Sequence, residues 1–460
     1  MHDVLSLSGT QQARLIRERA ISSVELVNAH LARIGEINPK LNAAIEILAE
    51  PALEAARAVD AGRIAGPLAG VPFSIKDSIE VAGTVCSAGT VGYRRREPSE
   101  KDATLVARLR GAGAIPVART NLPDLLFAFE SDNLLFGRTN NPYSAQRTSG
   151  GSSGGESALI AACGSPFGLG SDAAGSVRLP AHYCGITSIK PTSGRLARTG
   201  HVPPAGGWIE TLWQIGPMAR RIEDLWTMMP ILLGADGRDH TVIPMPFERR
   251  PDTLAGLRIA FFTDNGILAA EPETATTVQA AARALSDVVR MVEERRPPRI
   301  EESYQLEMEM LGSDGADGLR DFLKDIGSRQ THFLLEGWLS KLEPWRTTLA
   351  GFAKFWERLD RFRRDLCRFL NDFDVLLSPV SFSPAVPHGT SIADDVFPGY
   401  SYTMTHNLTG WPAAVVRCGQ SSEGLPIGVQ IAAAPWREDV ALTVAEYLES
   451  ACGGWQPTAL

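Results

Sequence analysis

The chain has 460 residues, of which 44% are hydrophobic and 21% are charged. This composition is typical of a globular protein and excludes wholesale disorder. The net charge of −8 argues against a protein whose main surface binds nucleic acid.

The first 65 residues are predicted to be mostly helical. Apolar residues recur three and four positions apart over 11–35 and 41–61, which indicates two amphipathic helices, and Pro39 is expected to separate them. The apolar run 71–75 follows a glycine-rich turn and predicts a short buried strand that ends at Lys76.

Helices and strands alternate along the rest of the chain, and this pattern is typical of an α/β fold. The predicted elements are a helix over 102–110, a strand over 114–118, a helix over 157–163, a strand over 257–262, a helix over 274–295, helices within 303–370, a strand over 375–377 and a helix over 438–450. No segment has the composition of a linker that would cut the chain into separate domains.

The cysteines and the N-terminal segment lead to an expectation about location. The six cysteines show no CxxC spacing, which indicates free thiols in a reducing compartment. No signal-peptide pattern and no run of 18 apolar residues is visible. We therefore expect a cytoplasmic protein without a stable membrane anchor. The eight histidines lack metal-ligand spacing, so we expect no metal.

A Gly/Ser-rich segment over 148–155 allows several interpretations. A flexible linker is disfavoured because apolar segments lie on both sides. A nucleophile elbow over 150–154 would need a hydrophobic strand directly before it, and the preceding stretch is polar. A dinucleotide-binding loop over 168–173 is disfavoured because no adequate strand precedes it. The favoured interpretation adds the second small-residue segment, 170–180, where backbone N–H groups before Ser176 could approach an oxyanion.

These two segments resemble the amidase signature family, and the resemblance extends over essentially the whole chain. The further motifs that carry it lie at 70–77, 120–123, 184–192, 214–225 and 424–430. The Gly154-Gly155-Glu156 sequence is similar to that of the fatty acid amide hydrolase and acylamidase branch.

The resemblance implies one α/β domain over 1–460, with a single large, mixed, twisted sheet that helices cover on both faces. The regions implied within this domain are N-terminal helices over 1–65, a catalytic core over 66–230, a variable helical region on the substrate side over 265–370, and the remainder of the core over 371–460.

Lysine is scarce in this chain, at 7 of the 45 basic residues. A buried lysine can lose its charge and act as a base, whereas arginine cannot. The resemblance implies that Lys76 is that base in a Ser-cisSer-Lys triad, with Ser176 as the nucleophile and Ser152, after a cis peptide at Gly151, as the proton carrier. A serine hydroxyl is a weak nucleophile without such a base, and burial would lower the pKa of Lys76. No cofactor is expected.

Backbone groups before the nucleophile are expected to stabilise the oxyanion. The candidate donors are the N–H groups of Ala173, Ala174, Gly175 and Ser176. Three supporting residues are also expected. Asp172 and Arg178 would hold the loops in place, and Ser153 would hydrogen-bond either Lys76 or the loop.

The resemblance implies that Leu126, Phe127 and Phe129 line a pocket for an apolar or aromatic acyl group, although ordinary core packing would explain the same residues. The expected reaction is hydrolysis of an amide C–N bond through a serine acyl-enzyme. Carbamates (urethanes) and esters share this acyl chemistry and stay open as substrates. The expected partner is a small molecule rather than nucleic acid, and a homodimer is possible in this family.

Two other functions are compatible with the resemblance. One is the glutamine-hydrolysing component of a tRNA-dependent amidotransferase, against which the acidic charge and the apolar stretch weigh modestly. The other is a catalytically silent binding protein, against which the intact Lys76, Ser152 and Ser176 argue.

Overall fold

A computed structural model of the chain describes residues 2–204, 206–249 and 254–460. The α-helices in these ranges are α1 (His2–Ser6), α2 (Gly9–Arg17), α3 (Ser23–Leu41), α4 (Ala49–Asp60), α5 (Thr104–Gly111), α6 (Gly154–Ala161), α7 (Arg178–Cys184), α8 (Ile222–Leu232), α9 (Pro272–Leu285), α10 (Ser303–Gly312), α11 (Asp317–Asp325), α12 (Phe333–Leu342), α13 (Leu349–Phe369), α14 (Ser401–Leu408) and α15 (Glu438–Cys452). The β-strands in these ranges are β1 (Ala44–Ile47), β2 (Pro72–Lys76), β3 (Ile115–Thr120), β4 (Asn140–Asn141), β5 (Ser144–Thr148), β6 (Phe167–Asp172), β7 (Thr187–Lys190), β8 (Gln214–Ala219), β9 (Arg258–Phe261), β10 (Met291–Glu294), β11 (Val375–Pro379), β12 (Ala413–Gln420) and β13 (Pro426–Ala433). None of these helices is both long and apolar enough to span a membrane.

Eleven of these strands form one mixed sheet, in the order β1-β3-β2-β6-β8-β7-β12-β13-β11-β9-β10. The strands β3, β2 and β6 are parallel near one end of the sheet, and β11, β9 and β10 are parallel at the other. The strands between these groups pair antiparallel. The predicted mixed α/β fold with one large sheet is confirmed.

Helices cover both faces of the sheet, because side chains alternate across each strand. In β12, Ala414 and Val416 pack in the hydrophobic cluster that includes α5, α8, α9 and α15. Val415 points the other way and packs in the cluster that includes α3, α4, α6 and α7. Each face of the sheet therefore has its own core.

The predicted helices near the N-terminus have different ends in the structure. The helix predicted over 11–35 is interrupted at Ser22, whose side chain forms a capping box with Glu25 and starts α3. Pro39 does not separate two helices but lies inside the last turn of α3. The helix instead ends at Asn42, which adopts the left-handed conformation with φ of 51°.

Two strands replace residues that were predicted to be helical. β1 lies within the predicted helix 41–61 and pairs antiparallel with β3. β10 lies within the predicted helix 274–295 and pairs parallel with β9, because α9 already ends at Leu285. In both cases an edge position on the sheet overrides a helical spacing of apolar residues.

Glu156 on α6 lies fully buried beside the sheet, and we expect its replacement to change how stability depends on pH. The hydroxyl of Thr120 bonds its carboxyl at 2.7 Å, and that of Ser74 also bonds it. Burial raises the pKa of Glu156 from 4.5 to about 8. Between these values the folded chain holds a proton that the unfolded chain releases, so the stability from this group falls as pH rises. Glu156→Gln should therefore gain stability relative to the parent between about pH 5 and pH 9, on the order of a few kcal/mol.

The measurement is urea unfolding of parent and Glu156→Gln at three pH values across that interval. Glu50→Gln, at the exposed start of α4, is the matched control for the change from carboxyl to amide at a surface position. A stability difference between Glu156→Gln and the parent that does not change with pH would contradict a raised pKa at Glu156.

Candidate active site

The site lies where two adjacent parallel strands end. Lys76 is the last residue of β2, and Asp172 is the last residue of β6. Ligand sites in α/β folds form at the carboxyl ends of parallel strands. Both side chains are buried. The sheet therefore brings together two polar residues that lie almost a hundred positions apart.

The hydrogen-bond partners of the Lys76 amine among the described residues are all oxygen atoms. Its Nζ lies 2.6 Å from Oγ of Ser152, 3.1 Å from Oγ of Ser171 and 3.3 Å from the backbone oxygen of Ser171. Burial lowers the pKa of Lys76 well below its usual value, although the nearby carboxyls of Asp172 and Glu156 oppose this. The uncharged amine is favoured, and its lone pair can accept a proton from a hydroxyl in contact with it.

The loop that carries Ser152 is held closely against its surroundings. The peptide bond between Gly151 and Ser152 is cis, as the family resemblance implied. Oγ of Ser131 accepts the N–H of Gly154 at 2.9 Å just after Ser152. A Cβ on Gly151 would lie 2.4 Å from the backbone oxygen of Ala128, so only glycine fits there. The position of the Ser152 hydroxyl is therefore fixed on both sides.

Ser176 lies in the loop between β6 and α7, at the wall of the same cavity as Ser152. Ser176 is buried but reaches the cavity, with 8% of the residue exposed. Its backbone oxygen accepts the N–H of Ser153 at 3.1 Å, which joins the two serine loops. The structure thus places all three residues of the predicted triad in one site, and Ser152 is in direct contact with the lysine.

The four predicted oxyanion donors are not equivalent. The N–H of Gly175 donates to Oδ1 of Asp172 at 2.8 Å, so this group is already engaged and differs from the prediction. The N–H groups of Ala173, Ala174 and Ser176 have no hydrogen-bond acceptor among the residues that the structure describes. All three residues line the cavity, and their N–H groups are the available donors.

The predicted supporting residues Asp172 and Arg178 form a buried ion pair behind the Ser176 loop. Arg178 donates to both carboxylate oxygens of Asp172, at 2.9 and 3.0 Å. Burial alone would raise the pKa of Asp172, but the guanidinium of Arg178 holds it well below its usual range. The carboxylate also accepts the N–H of Val177 at 3.1 Å and Nδ2 of Asn407 at 2.9 Å. This network fixes the loop at both ends.

The hydroxyl of Ser153 bonds the end of β6 and not Lys76. It donates to the backbone oxygen of Ser171 at 3.3 Å and accepts the N–H of the same residue at 3.4 Å. The contact holds the Ser152 loop against the end of β6.

A cavity of about 130 Å³ opens beside Ser176 and is mostly apolar. Leu126, Phe127 and Phe129 all line it, as predicted. The ring of Phe129 lies 4.0 Å from that of Tyr400, so this residue belongs to the core as well as to the cavity. From the region 265–370 the cavity receives Leu311 and Trp338, which could not be identified from the sequence.

Two polar residues of the site, Ser171 and His201, were not predicted from the sequence. Nε2 of His201 lies 3.0 Å from Oγ of Ser171, and Nδ1 lies 2.9 Å from the backbone oxygen of Pro203. Ser171 could have been found from the sequence, because it directly precedes Asp172 on a strand that leads to the Ser176 loop. No sequence pattern places His201 at the site, because only the path of the chain after β7 brings it to the cavity.

Comparisons with known proteins agree with this geometry. The family model for Amidase matches residues 25–442. Human fatty-acid amide hydrolase 2 is 31% identical over 491 residues, covering 98% of this chain and 90% of the human protein. A glutamyl-tRNA(Gln) amidotransferase component of Salinispora arenicola (strain CNS-205) is 32% identical over 503 residues, covering 100% of both. The solved structure of 6-aminohexanoate cyclic dimer hydrolase complexed with substrate has a TM-score of 0.86 at 29% identity and covers 97% of each chain. The chain therefore belongs to the amidase signature family and is a hydrolase of amides.

Proposed function

We propose that this enzyme hydrolyses small amides with an apolar or aromatic acyl group, through an acyl-enzyme on Ser176. The observation that carries this proposal is the contact of 2.6 Å between the buried amine of Lys76 and the hydroxyl of Ser152, at the cavity that Ser176 also lines. A desolvated lysine is a suitable base for a serine nucleophile.

The proposed proton path has two steps. Oγ of Ser176 attacks the carbonyl carbon and gives its proton to Oγ of Ser152, which gives its own proton to Nζ of Lys76. The protons then move in the reverse direction to the departing amine, and the C–N bond breaks. Water attacks the resulting ester of Ser176 by the same route and releases the acid.

The proposed oxyanion site consists of the N–H groups of Ala173, Ala174 and Ser176. Preorganised donors stabilise the negative charge as it develops on the carbonyl oxygen. The N–H of Gly175 would act indirectly, because it holds Asp172 against the loop. Since Asp172 is also paired with Arg178, the donors do not need to reorganise during the reaction.

The size and lining of the cavity support the proposed acyl group. A cavity of about 130 Å³ is close to the ~150 Å³ that is known to hold one benzene ring. The side chains of Phe127, Phe129 and Trp338 offer ring contacts to such a group. Anilides, carbamates and esters of similar size share the acyl step and belong to the proposed substrate range.

The amidotransferase alternative is less well supported by this lining. The relative from Salinispora arenicola carries that name, but a glutamine side chain bears an amide and its amino acid charges, which need polar partners. The wall formed by Leu126, Phe127 and Phe129 offers none from its side chains. We therefore favour the small-amide hydrolase.

A substrate panel tests this proposal. We expect kcat/KM for benzoyl or phenylacetyl anilides to exceed that of the acetyl anilide by about 10- to 100-fold, because burying one ring contributes roughly 1.5–3 kcal/mol. The measurement is amine release from these anilides, a hexadecanoyl anilide, a matched carbamate and ester, and glutamine. Glutamine as the best substrate would favour the amidotransferase alternative, and no amine release from any amide would refute the proposal.

A further inference from the structure

His201 and Ser171 form a chain of contacts that ends on the amine of Lys76. Starting from the backbone oxygen of Pro203, the distances are 2.9 Å to Nδ1 of His201, 3.0 Å from Nε2 to Oγ of Ser171, and 3.1 Å from this oxygen to Nζ. The first member can only accept a hydrogen bond. It therefore sets the direction of every bond that follows.

The direction follows from the donors and acceptors of each group. A neutral imidazole has one N–H and one lone pair. Nδ1 of His201 must carry the proton, because it faces a carbonyl oxygen, and Nε2 therefore accepts. The hydroxyl proton of Ser171 is then directed at Nε2, and its oxygen is left to accept an N–H from Lys76.

An uncharged amine has two N–H groups and one lone pair. The two N–H groups of Lys76 have acceptors in the hydroxyl oxygen and the backbone oxygen of Ser171, at 3.1 and 3.3 Å. The contact at 2.6 Å with Oγ of Ser152 is left for the lone pair. We propose that His201 and Ser171 are positioning residues that aim the lone pair of Lys76 at the hydroxyl of Ser152, an inference that rests on the proposed function.

The surroundings of His201 favour the neutral imidazole that this arrangement needs. Its ring lies 4.4 Å from the ring of Trp213, and only 7% of the residue is exposed. Burial lowers the pKa of His201 to about 3, although the backbone oxygen of Pro203 opposes this. The guanidinium of Arg198 lowers it further, and Lys76 does so only when its amine is protonated. Arg198 is itself paired with Asp239.

Without His201, the hydroxyl of Ser171 is free to rotate. It can then donate its proton to the lone pair of Lys76 and compete with Ser152. A hydrogen bond from Ser171 to this lone pair keeps Lys76 from accepting the proton of Ser152. It also stabilises the uncharged form of the amine, which lowers the pKa of Lys76. His201→Leu should therefore lower kcat by about 10- to 100-fold, which is no more than the 10²- to 10⁴-fold that a positioned base contributes in full. The acid limb of the pH–rate profile should move to lower pH.

The test compares His201→Leu, Ser171→Ala and the double variant in steady-state kinetics on an anilide. Because His201 acts through Ser171, the double variant should be no slower than Ser171→Ala. His201→Gln, which retains an acceptor for the Ser171 hydroxyl, should recover most of kcat and the parent acid limb. His240→Leu, at a histidine whose side chain is 80% exposed, is the matched control and should behave like the parent.

Three results would overturn the inference: an unchanged kcat in His201→Leu, a rise in KM alone, or losses in the two single variants that multiply in the double variant. If His201→Leu fails to fold, the comparison of Ser171→Ala with Ser171→Thr decides, because only the threonine keeps the hydroxyl. A lower kcat in both Ser171→Ala and Ser171→Thr, or an unchanged kcat in both variants, would overturn the inference. Failure of the proposed function would appear differently, as full activity in a folded Ser176→Ala enzyme.

Discussion

Replacement of Ser176 by alanine is expected to abolish amide hydrolysis and to leave the chain folded. The substitution removes the hydroxyl that is proposed to attack the substrate, while the backbone N–H and the oxygen that accepts from Ser153 stay in place. Losing a serine nucleophile costs about 10⁴-fold or more in kcat. The hydroxyl lies at a cavity wall and is not part of the Asp172 network, so unfolding should change by less than about 1 kcal/mol.

The measurement combines anilide turnover with mass spectrometry of the acyl-enzyme. With a slow ester, the parent should gain the mass of one acyl group on the peptide that contains Ser176, and Ser176→Ala should gain none. Ser188→Ala is the matched control, because Ser188 is a buried serine on β7 whose hydroxyl has no partner among the described residues. Residual turnover above about 1% of the parent in a folded Ser176→Ala enzyme would contradict the proposed nucleophile.

The parts of this site that could be predicted from the sequence are those that local sequence determines. An apolar run that ends in a lysine predicts a strand end with a buried amine, and β2 does end at Lys76. Small residues around Ser152 and Ser176 predict tight loops, and both serines lie in such loops. Only the family resemblance predicted that Lys76, Ser152 and Ser176 belong to one site, because composition and periodicity do not relate distant segments.

The remainder depends on contacts between distant parts of the chain. His201 reaches Ser171 only because β6 and the loop after β7 meet, and Trp338 reaches the cavity from the other half of the chain. The strand β1 was not predicted for the same reason, because the residues of β3 to which it hydrogen-bonds are about seventy positions away in the sequence. The spacing of apolar residues indicates which face of a helix or strand is buried, but it does not indicate which other element covers that face.

The engaged N–H of Gly175 is a difference between sequence and structure that has a local cause. The sequence predicts four equivalent backbone donors before and at the nucleophile. Asp172 lies three residues earlier, and its short side chain reaches the N–H of Gly175 in a local side chain to backbone bond. The spacing of Asp172 and Gly175 is therefore enough to account for this contact, whereas the prediction gave Asp172 only a general role in holding loops.

Replacement of Lys76 by methionine is expected to abolish hydrolysis as completely as loss of Ser176. Methionine has similar length and needs no hydrogen bonds, so it fills the buried site without a base. The proton of Ser152 then has no acceptor of sufficient basicity. The matched control is Lys190→Met, because burial also lowers the pKa of Lys190, to about 7, but its amine donates to the backbone oxygen of Pro191 and not to Ser152. We expect Lys190→Met to keep at least about a tenth of the parent kcat, since a base that is not in contact contributes no proton transfer.

The stability of Lys76→Met gives an independent measure of the charge state of this lysine. Because the pKa of Lys76 is lowered in the folded chain, the unfolded chain binds the extra proton, and parent stability from this group rises with pH up to about 10.5. Lys76→Met should therefore be more stable than the parent, with the largest gain at low pH and none above about pH 10.5. Urea unfolding of both proteins across this range measures the difference. A gain that does not depend on pH would mean that Lys76 stays charged when folded, and the base would then have to be assigned to another residue.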